Sequence, residues 1–333
     1  MKKITKIMTT LCLVLVLMIS ISACSCGKTN QKISVIIPDG APALAVAQLL
    51  SENNTFNQDL TYTVVKPDTL TNYVPTKADI AVVPINSATK LCGDKYKIVA
   101  VNTHGNLFVL GEEEITDMTS LVGKKVACIQ YANVPGLTLR TILNGKNIPY
   151  TQLGELTDSV DAEKVNIYNC DPTAVASLLA QGKVDYALCA EPSVTIISTN
   201  LSAKGIKVCL DIQEEYYKTF NEHFPQAVTI ISNDLIKNNK KFVKSFIEAM
   251  KKNDSYVTKE NISSMLKGIE EHLDEGLAPT FDEKKLTENS LKNCNVKYVD
   301  AYSVKEEIIN YIEKVKAVDS TKVNSITDEI FYK

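Results

Sequence analysis

The side chains of this chain that could do chemistry stand at the ends of apolar runs and form no catalytic motif. No G-x-S-x-G, H-E-x-x-H, P-loop or G-x-G-x-x-G occurs. His104, His223 and His272 are far apart and lack ligand spacing, so no metal site and no cofactor are expected. Cys92, Cys128, Cys170, Cys189, Cys209 and Cys294 are scattered singly without a C-x-x-C pair. Cys128, Cys189 and Cys209 lie inside strand-like apolar runs, where a free cysteine acts as a small hydrophobe, and a disulfide framework is not expected. What remains is a set suited to recognition: Asp39, Gly40, Ala41, Asn86, Ser87, Asn102, Thr103 and His104, then Tyr131, Asn133, Asp171 and Glu191, with His223 and Gln226 further on. Gly40 and Ala41 leave room for a ligand to touch backbone, Tyr131 can stack on a ring, and a carboxylate at a strand end can select an amine.

Each of these residues also has a purely structural role open to it. Asp39 can contact a ligand or cap the helix that follows. Asp171 precedes Pro172 and reads as a helix cap, and Glu191 before Pro192 as a solvated turn residue. His104 fits a loop histidine with satisfied ring nitrogens as well as a contact.

The elements that must position them alternate in kind. Residues 34–37 are β-branched and apolar, residues 38–42 break the run, and residues 43–50 continue as a helix with Pro42 in its first turn. Residues 78–83 form a buried strand followed by a short helix over 87–92, and residues 97–101 and 107–110 are two more strands. A second block repeats the pattern: strand 126–130, helix 135–143, strand 165–168, helix 173–181 started by Asp171-Pro172 and stopped by Gly182, then strand 184–189. Residues 227–231 form a returning strand. Asn233 is placed to cap the next helix, residues 240–256 form another, and residues 303–318 present Ile308, Ile309, Ile312 and Val315 on one face. Strands alternating with helices of about ten residues predict mainly parallel sheets covered on both faces, hence two α/β lobes. In such sheets ligands sit beyond the carboxyl ends of the strands, against free helix N–H groups, which is where the recognition set falls.

The first 26 residues set the compartment. Lys2, Lys3 and Lys6 precede an apolar run of 15 residues, 7–21, that ends in Ile21-Ser22-Ala23-Cys24. The run is short for a bilayer span of about 20 residues, so it reads as a secretory signal. Ile-Ser-Ala-Cys resembles a bacterial lipobox, which implies cleavage after residue 23, lipidation (a palmitate-type anchor) on Cys24, and a tether over 24–31. The formal net charge is −3, and loss of the three signal lysines makes it −6, with no basic block, which excludes a nucleic-acid binder. Charged residues at 23% and apolar residues at 45% are ordinary globular values.

The ordered combination of lipobox, Pro38-Asp39-Gly40-Ala41-Pro42, Ala78-Asp79-Ile80-Ala81, Leu121-Val-Gly-Lys-Lys-Val126, residues 176–185 before Ala190-Glu191-Pro192, and terminal Ile330-Phe331-Tyr332 resembles the solute-binding proteins of ABC importers. Within them it is similar to the branch that binds aliphatic sulfonates, nitrate, taurine and thiamine-precursor pyrimidines. The resemblance implies a bilobed, type II periplasmic-binding-protein-like α/β fold with a two-segment hinge near residues 108–111 and 226–229. Lobe one then comprises 32–111 plus 227–333, and lobe two 112–226. It further implies a monomeric, non-enzymatic receptor, tethered to the extracytoplasmic face of the cell membrane by its lipid alone. Such a receptor closes on a small-molecule solute and docks on an ABC permease with its ATPase. The alternatives are an enzyme of the same fold, pyrimidine-synthase-like or menaquinone-pathway-like, and a receptor for a sensor without transport. The first of these enzymes carries a cysteine-rich stretch that this chain lacks, and export opposes both. Because Asp39, Asp171 and Glu191 repel anions and the only nearby arginine, Arg140, lies inside a helix, a neutral or amine-bearing heterocycle such as a pyrimidine is expected over a sulfonate or nitrate.

Overall fold

The computed structural model describes residues 32–52, 56 and 58–333. The signal segment 1–23, Cys24, Cys26 and the tether 24–31 lie outside the described residues.

In chain order the first part runs β1 (Ile33–Pro38), α1 (Ala41–Leu44), α2 (Ala47–Ser51), β2 (Leu60–Val65), α3 (Leu70–Lys77), β3 (Ile80–Pro84), α4 (Ile85–Leu91) and β4 (Tyr96–Thr103). The middle part runs β5 (Leu107–Gly111), β6 (Lys125–Ile129), α5 (Val134–Gly145), β7 (Tyr150–Leu153), β8 (Val165–Cys170), α6 (Val175–Ala180), β9 (Tyr186–Ala190), α7 (Ser193–Asn200), β10 (Lys207–Asp211) and α8 (Ile212–Phe220). The last part holds β11 (Ala227–Ser232), α9 (Asn233–Asn238), α10 (Lys240–Tyr256), α11 (Ile262–Glu270), α12 (Glu288–Asn293), β12 (Val296–Asp300) and α13 (Lys305–Val318).

These strands form two six-stranded sheets, ordered β12-β4-β11-β3-β1-β2 and β10-β5-β9-β6-β8-β7. In the first, β1 runs parallel to β2 and β3, and β11 is antiparallel to β3 and β4. In the second, β6 and β8 are parallel to their neighbours and β5 is antiparallel to β9 and β10. The strand period decides the layers. Ile33, Val35 and Ile37 of β1 share a core with Leu44, Phe246 and Met265, whereas Ile36 belongs to the core of Leu70 and Val74. The first sheet is thus covered on both faces, as its uninterrupted apolar strands require.

The chain crosses between sheets through residues 104–106 and 221–226, displaced from the expected positions. Residues 108–111 lie wholly within β5, paired on both edges, and 227–229 lie within β11. Residues 107–111, expected in lobe one, therefore belong to the second sheet. The C-terminal helix also departs from expectation, since α13 packs on the second lobe: Tyr311 hydroxyl and Thr138 Oγ1 of α5 are 2.9 Å apart, and Tyr311 meets Tyr216 and Phe224 at ring separations of 5.9 Å. The chain then returns to the first sheet, where Tyr332 N–H donates to Ile98 carbonyl over 2.9 Å.

Local boundaries shift for physical reasons. The expected helix 43–50 is two short helices separated at Ala45 and Val46. Ser232, not Asn233, caps α9, its hydroxyl accepting from Leu235 N–H at 3.3 Å. On α13 the buried face is Ile308, Tyr311, Ile312 and Val315, and Ile309 is only partly covered.

Candidate functional site

Both crossings are held by side-chain amides. Gln226 Nε2 donates to Asn106 Oδ1 at 2.9 Å, and its Oε1 accepts from Asn106 N–H at 3.0 Å, tying the second crossing to the first. Gln213 of α8 repeats the arrangement on Leu107, accepting from its N–H at 2.9 Å and donating to its carbonyl at 3.1 Å. Gly105, at φ 91°, makes this closeness possible: a Cβ there would stand 2.5 Å from Phe224 Cζ and 2.8 Å from Gln213 Cγ. Beside them, Thr103 Oγ1 accepts from Ala227 N–H at 3.1 Å and Asn102 Oδ1 accepts from Thr229 Oγ1 at 2.7 Å. These buried polar groups fasten β4 to β11, and neither side chain is left unpartnered. His104 is also occupied, its Nε2 lying 3.1 Å from Lys297 carbonyl. Burial pushes its imidazole below the usual range, opposed by that backbone bond.

The strand ends of the two lobes face each other. Glu191, 4% exposed after β9, accepts from Thr195 N–H at 3.1 Å, from Thr195 Oγ1 at 2.9 Å, and from Asn293 Nδ2 of α12, across the lobes, at 2.9 Å. Its turn role is therefore that of a buried crosslink and not of a solvated residue. Asp39, after β1, is equally engaged: Oδ1 accepts from Gly40 N–H at 2.7 Å and Oδ2 from Thr280 N–H at 2.6 Å. Its carboxylate ties the loop to residue 280 and makes no cap bond to α1, which has Gly40 at its N-cap and starts at Ala41, two residues before the expected start at 43. Asp171 does cap, accepting from Thr173 N–H at 2.8 Å and Thr173 Oγ1 at 2.6 Å. The Thr173 hydroxyl is the main reason its carboxyl lies below the usual range, and Lys66 of the facing lobe adds to it.

Asn86, Ser87 and Asn133 are brought together around one cavity of about 280 Å³ between the lobes. Its walls are Leu70 and Val74 of α3, Val83, the first turns of α4, the loop at Ala132, and Lys90 and Lys322. Among the described residues the side-chain amide of Asn86 has no hydrogen-bond partner, and its Oδ1 is buried in a residue 6% exposed. Tyr131, next in the same loop, is half-buried with the Arg140 guanidinium 4.1 Å from its ring centroid. Arg140 is 5% exposed, donates from Nη2 to Tyr131 carbonyl at 3.1 Å, and has no carboxylate within ion-pair distance among the described residues. Gly136 lets α5 approach so closely, since a Cβ there would meet Tyr131 carbonyl oxygen at 2.3 Å.

Sequence reasoning missed Asn106, Gln213, Thr195, Thr280, Asn293 and Lys322, and set Arg140 aside as lying inside a helix. The pairs they form span between 4 and 241 positions, and the long ones leave no local signal. Arg140 alone was recoverable, because position 140 lies one helical turn from position 136 and Tyr131 stands just before the helix. The cysteine chemistry is quiet: all six described cysteines are unpaired, and burial pushes the Cys170 thiol up to about 11 and Cys92 to about 12.

Two α/β lobes joined by short crossings, with strand ends and helix starts facing across them, define the architecture of a bilobed binding protein. The chain belongs to the NMT1/THI5-like family, whose model matches residues 68–261, more than half of its length. No curated protein sequence matches it. Among solved structures it is similar to an ABC transporter from Parabacteroides distasonis, at 18% identity and a TM-score of 0.70 over 90% of this chain and 98% of that one. The periplasmic aliphatic sulphonate binding protein SsuA from Escherichia coli matches at 13% identity and 0.62, over 91% and 92% of the two chains. The ligand-binding component of an ABC-type import system from Staphylococcus aureus, with zinc bound, matches at 16% identity and 0.60, over 91% and 96%. At these identities the likeness establishes the periplasmic-binding-protein-like fold.

Proposed function

We propose that the protein is the extracytoplasmic solute-binding component of an ABC importer. It captures one small organic molecule between its lobes and presents the closed form to a permease with its ATPase. The observation that carries this reading is the cavity between the lobes, walled by Asn86 and Ser87 of one and Ala132 and Asn133 of the other. A ligand seated there touches both lobes only when they are together, so it favours the closed form by the contacts it gains on closure. The structural similarity to ABC-importer components supports the same reading. Asn86, Ser87 and Asn133 are the contacts closest to this role. Asp39, Gly40, Ala41, Tyr131, Asp171 and Glu191 shape the facing walls, and Asn102, Thr103, His104 and Gln226 hold the pivot. Cys24 carries the lipid at the head of the tether 24–31, leaving a monomeric receptor at the outer face of the membrane that performs no chemistry of its own.

A thermal-shift screen of the chain from residue 27, which keeps the compact unit of residues 33–333, tests this reading. The panel comprises pyrimidines, other vitamins, sulfonates, nitrate and amino acids. Ligand at 100 times its Kd adds about 2.7 kcal/mol, a rise of several degrees. One stabilising chemical class is the expected result, and a flat panel opposes it. Labelling with radioactive palmitate, lost in Cys24→Ser, checks the anchor.

A further inference from the structure

We propose that the interlobe cavity is an anion-binding compartment completed by the C-terminal segment, in which Lys322 and Lys90 hold the negative group of the solute and the Asn86 amide bonds to its body. This inference rests on the reading of the protein as a solute receptor and names the class of solute. Lys322 lines the cavity from the segment that leaves α13, and no hydrogen bond or ion pair engages its ammonium among the described residues. Lys90 donates to Thr321 carbonyl at 3.0 Å, which brings that segment over α4 and leaves two of its three N–H donors free. Arg140 backs the loop of Ala132 and Asn133 with a third positive charge. Asp319 is held below its usual range mainly by the Thr321 hydroxyl and to a lesser degree by Lys322 and Arg140. Asp39, Asp171 and Glu191, the carboxylates expected to repel an anion, are not among the residues that line this cavity. At this cavity the proposal therefore departs from the expectation of a neutral or amine-bearing solute.

Asn86 supplies the second, independent observation. A buried carbonyl oxygen without a donor is a cost the fold does not recover from its own groups, and a donor on the solute removes it. Leu70, Val74, Val83 and Leu91 make the remaining wall apolar. The compartment accordingly takes a small organic anion with an apolar body and an N–H or O–H donor.

The test uses three matched pairs on the purified protein, each with an amine on the ring for Asn86: 4-aminobenzoate with 4-aminobenzamide, 4-aminobenzenesulfonate with 4-aminobenzenesulfonamide, and 4-aminophenyl phosphate with 4-aminophenol. The expected result is that at least one anion raises Tm more than its neutral partner and that the preference shrinks as salt is added. Lys322→Gln and Lys90→Gln should each lower affinity for that anion about tenfold, as loss of one charge-assisted bond does. Asn86→Asp should abolish it, whereas Lys244→Gln, at an exposed position of α10 outside the cavity, should leave it unchanged. Neutral partners that stabilise as well as the anions, anions that give no shift, or a preference that survives both lysine changes would overturn the inference. If the neutral solutes of the wider panel still stabilise the protein, only the anion assignment fails. If no solute of either kind does, the receptor reading fails with it.

Discussion

Glu191 is a buried carboxylate whose three donors come from both lobes, so its worth is measured by what its loss leaves unpaired. Glu191→Ala strands Asn293 Nδ2 and the Thr195 hydroxyl, and should cost about 1–3 kcal/mol in urea unfolding. A loss below a few tenths of a kcal/mol would mean that the contact across the lobes contributes nothing. His104 gives a pH dependence. Its folded pKa lies below the unfolded value of 6.5, because burial penalises the imidazolium and the nearby Lys297 and His223 repel it, while the Lys297 carbonyl and Asp254 favour it. The unfolded chain then binds the proton first. Stability is intact above about pH 6.5 and falls as pH drops from there through the folded pKa. His104→Gln should flatten the urea midpoint between about pH 7 and pH 5 relative to the wild type, and an unchanged slope would show that this histidine does not titrate differently in the two states.

At the scale of elements, the pivot depends on Gly105. Its φ of 91° and the 2.5 Å approach to Phe224 leave no place for a methyl group, so Gly105→Ala should destabilise by about 1–3 kcal/mol. A neutral Gly105→Ala would show the crossing to be loosely packed. The alternation of apolar runs and helix caps made the two α/β lobes legible in advance, and Asp171-Pro172 declared its cap because every atom involved lies within two residues. What stayed hidden was non-local or lightly patterned. Strand β12 is half-exposed throughout and β10 is exposed at Lys207 and Val208, so neither shows a continuous apolar run. The break between the strands at 97–101 and 107–110 was legible, but nothing in the sequence marks it as the crossing between sheets, so the expectation slid forward into β5. Asp39, Asp171 and Glu191 were legible as residues that follow strands. The partner of Asp39 was not, because Thr280 meets Asp39 across 241 positions.

At the scale of the molecule, the sheets are joined by two crossings, and α13 adds a third attachment, packing on the second lobe before the chain returns to Ile98. Rotation of the lobes must therefore carry α13 with the second and stretch or relax residues 319–331. Tyr311→Ala removes the ring that meets Tyr216 and Phe224 and the bond to Thr138, and should cost about 3–5 kcal/mol. The central claim is that a solute draws the two lobes together. Small-angle X-ray scattering of the chain from residue 27, with and without the most stabilising solute of the screen, measures this directly. The account predicts a smaller radius of gyration and a shorter maximum dimension with solute bound. Tight binding with superimposable scattering curves would contradict it.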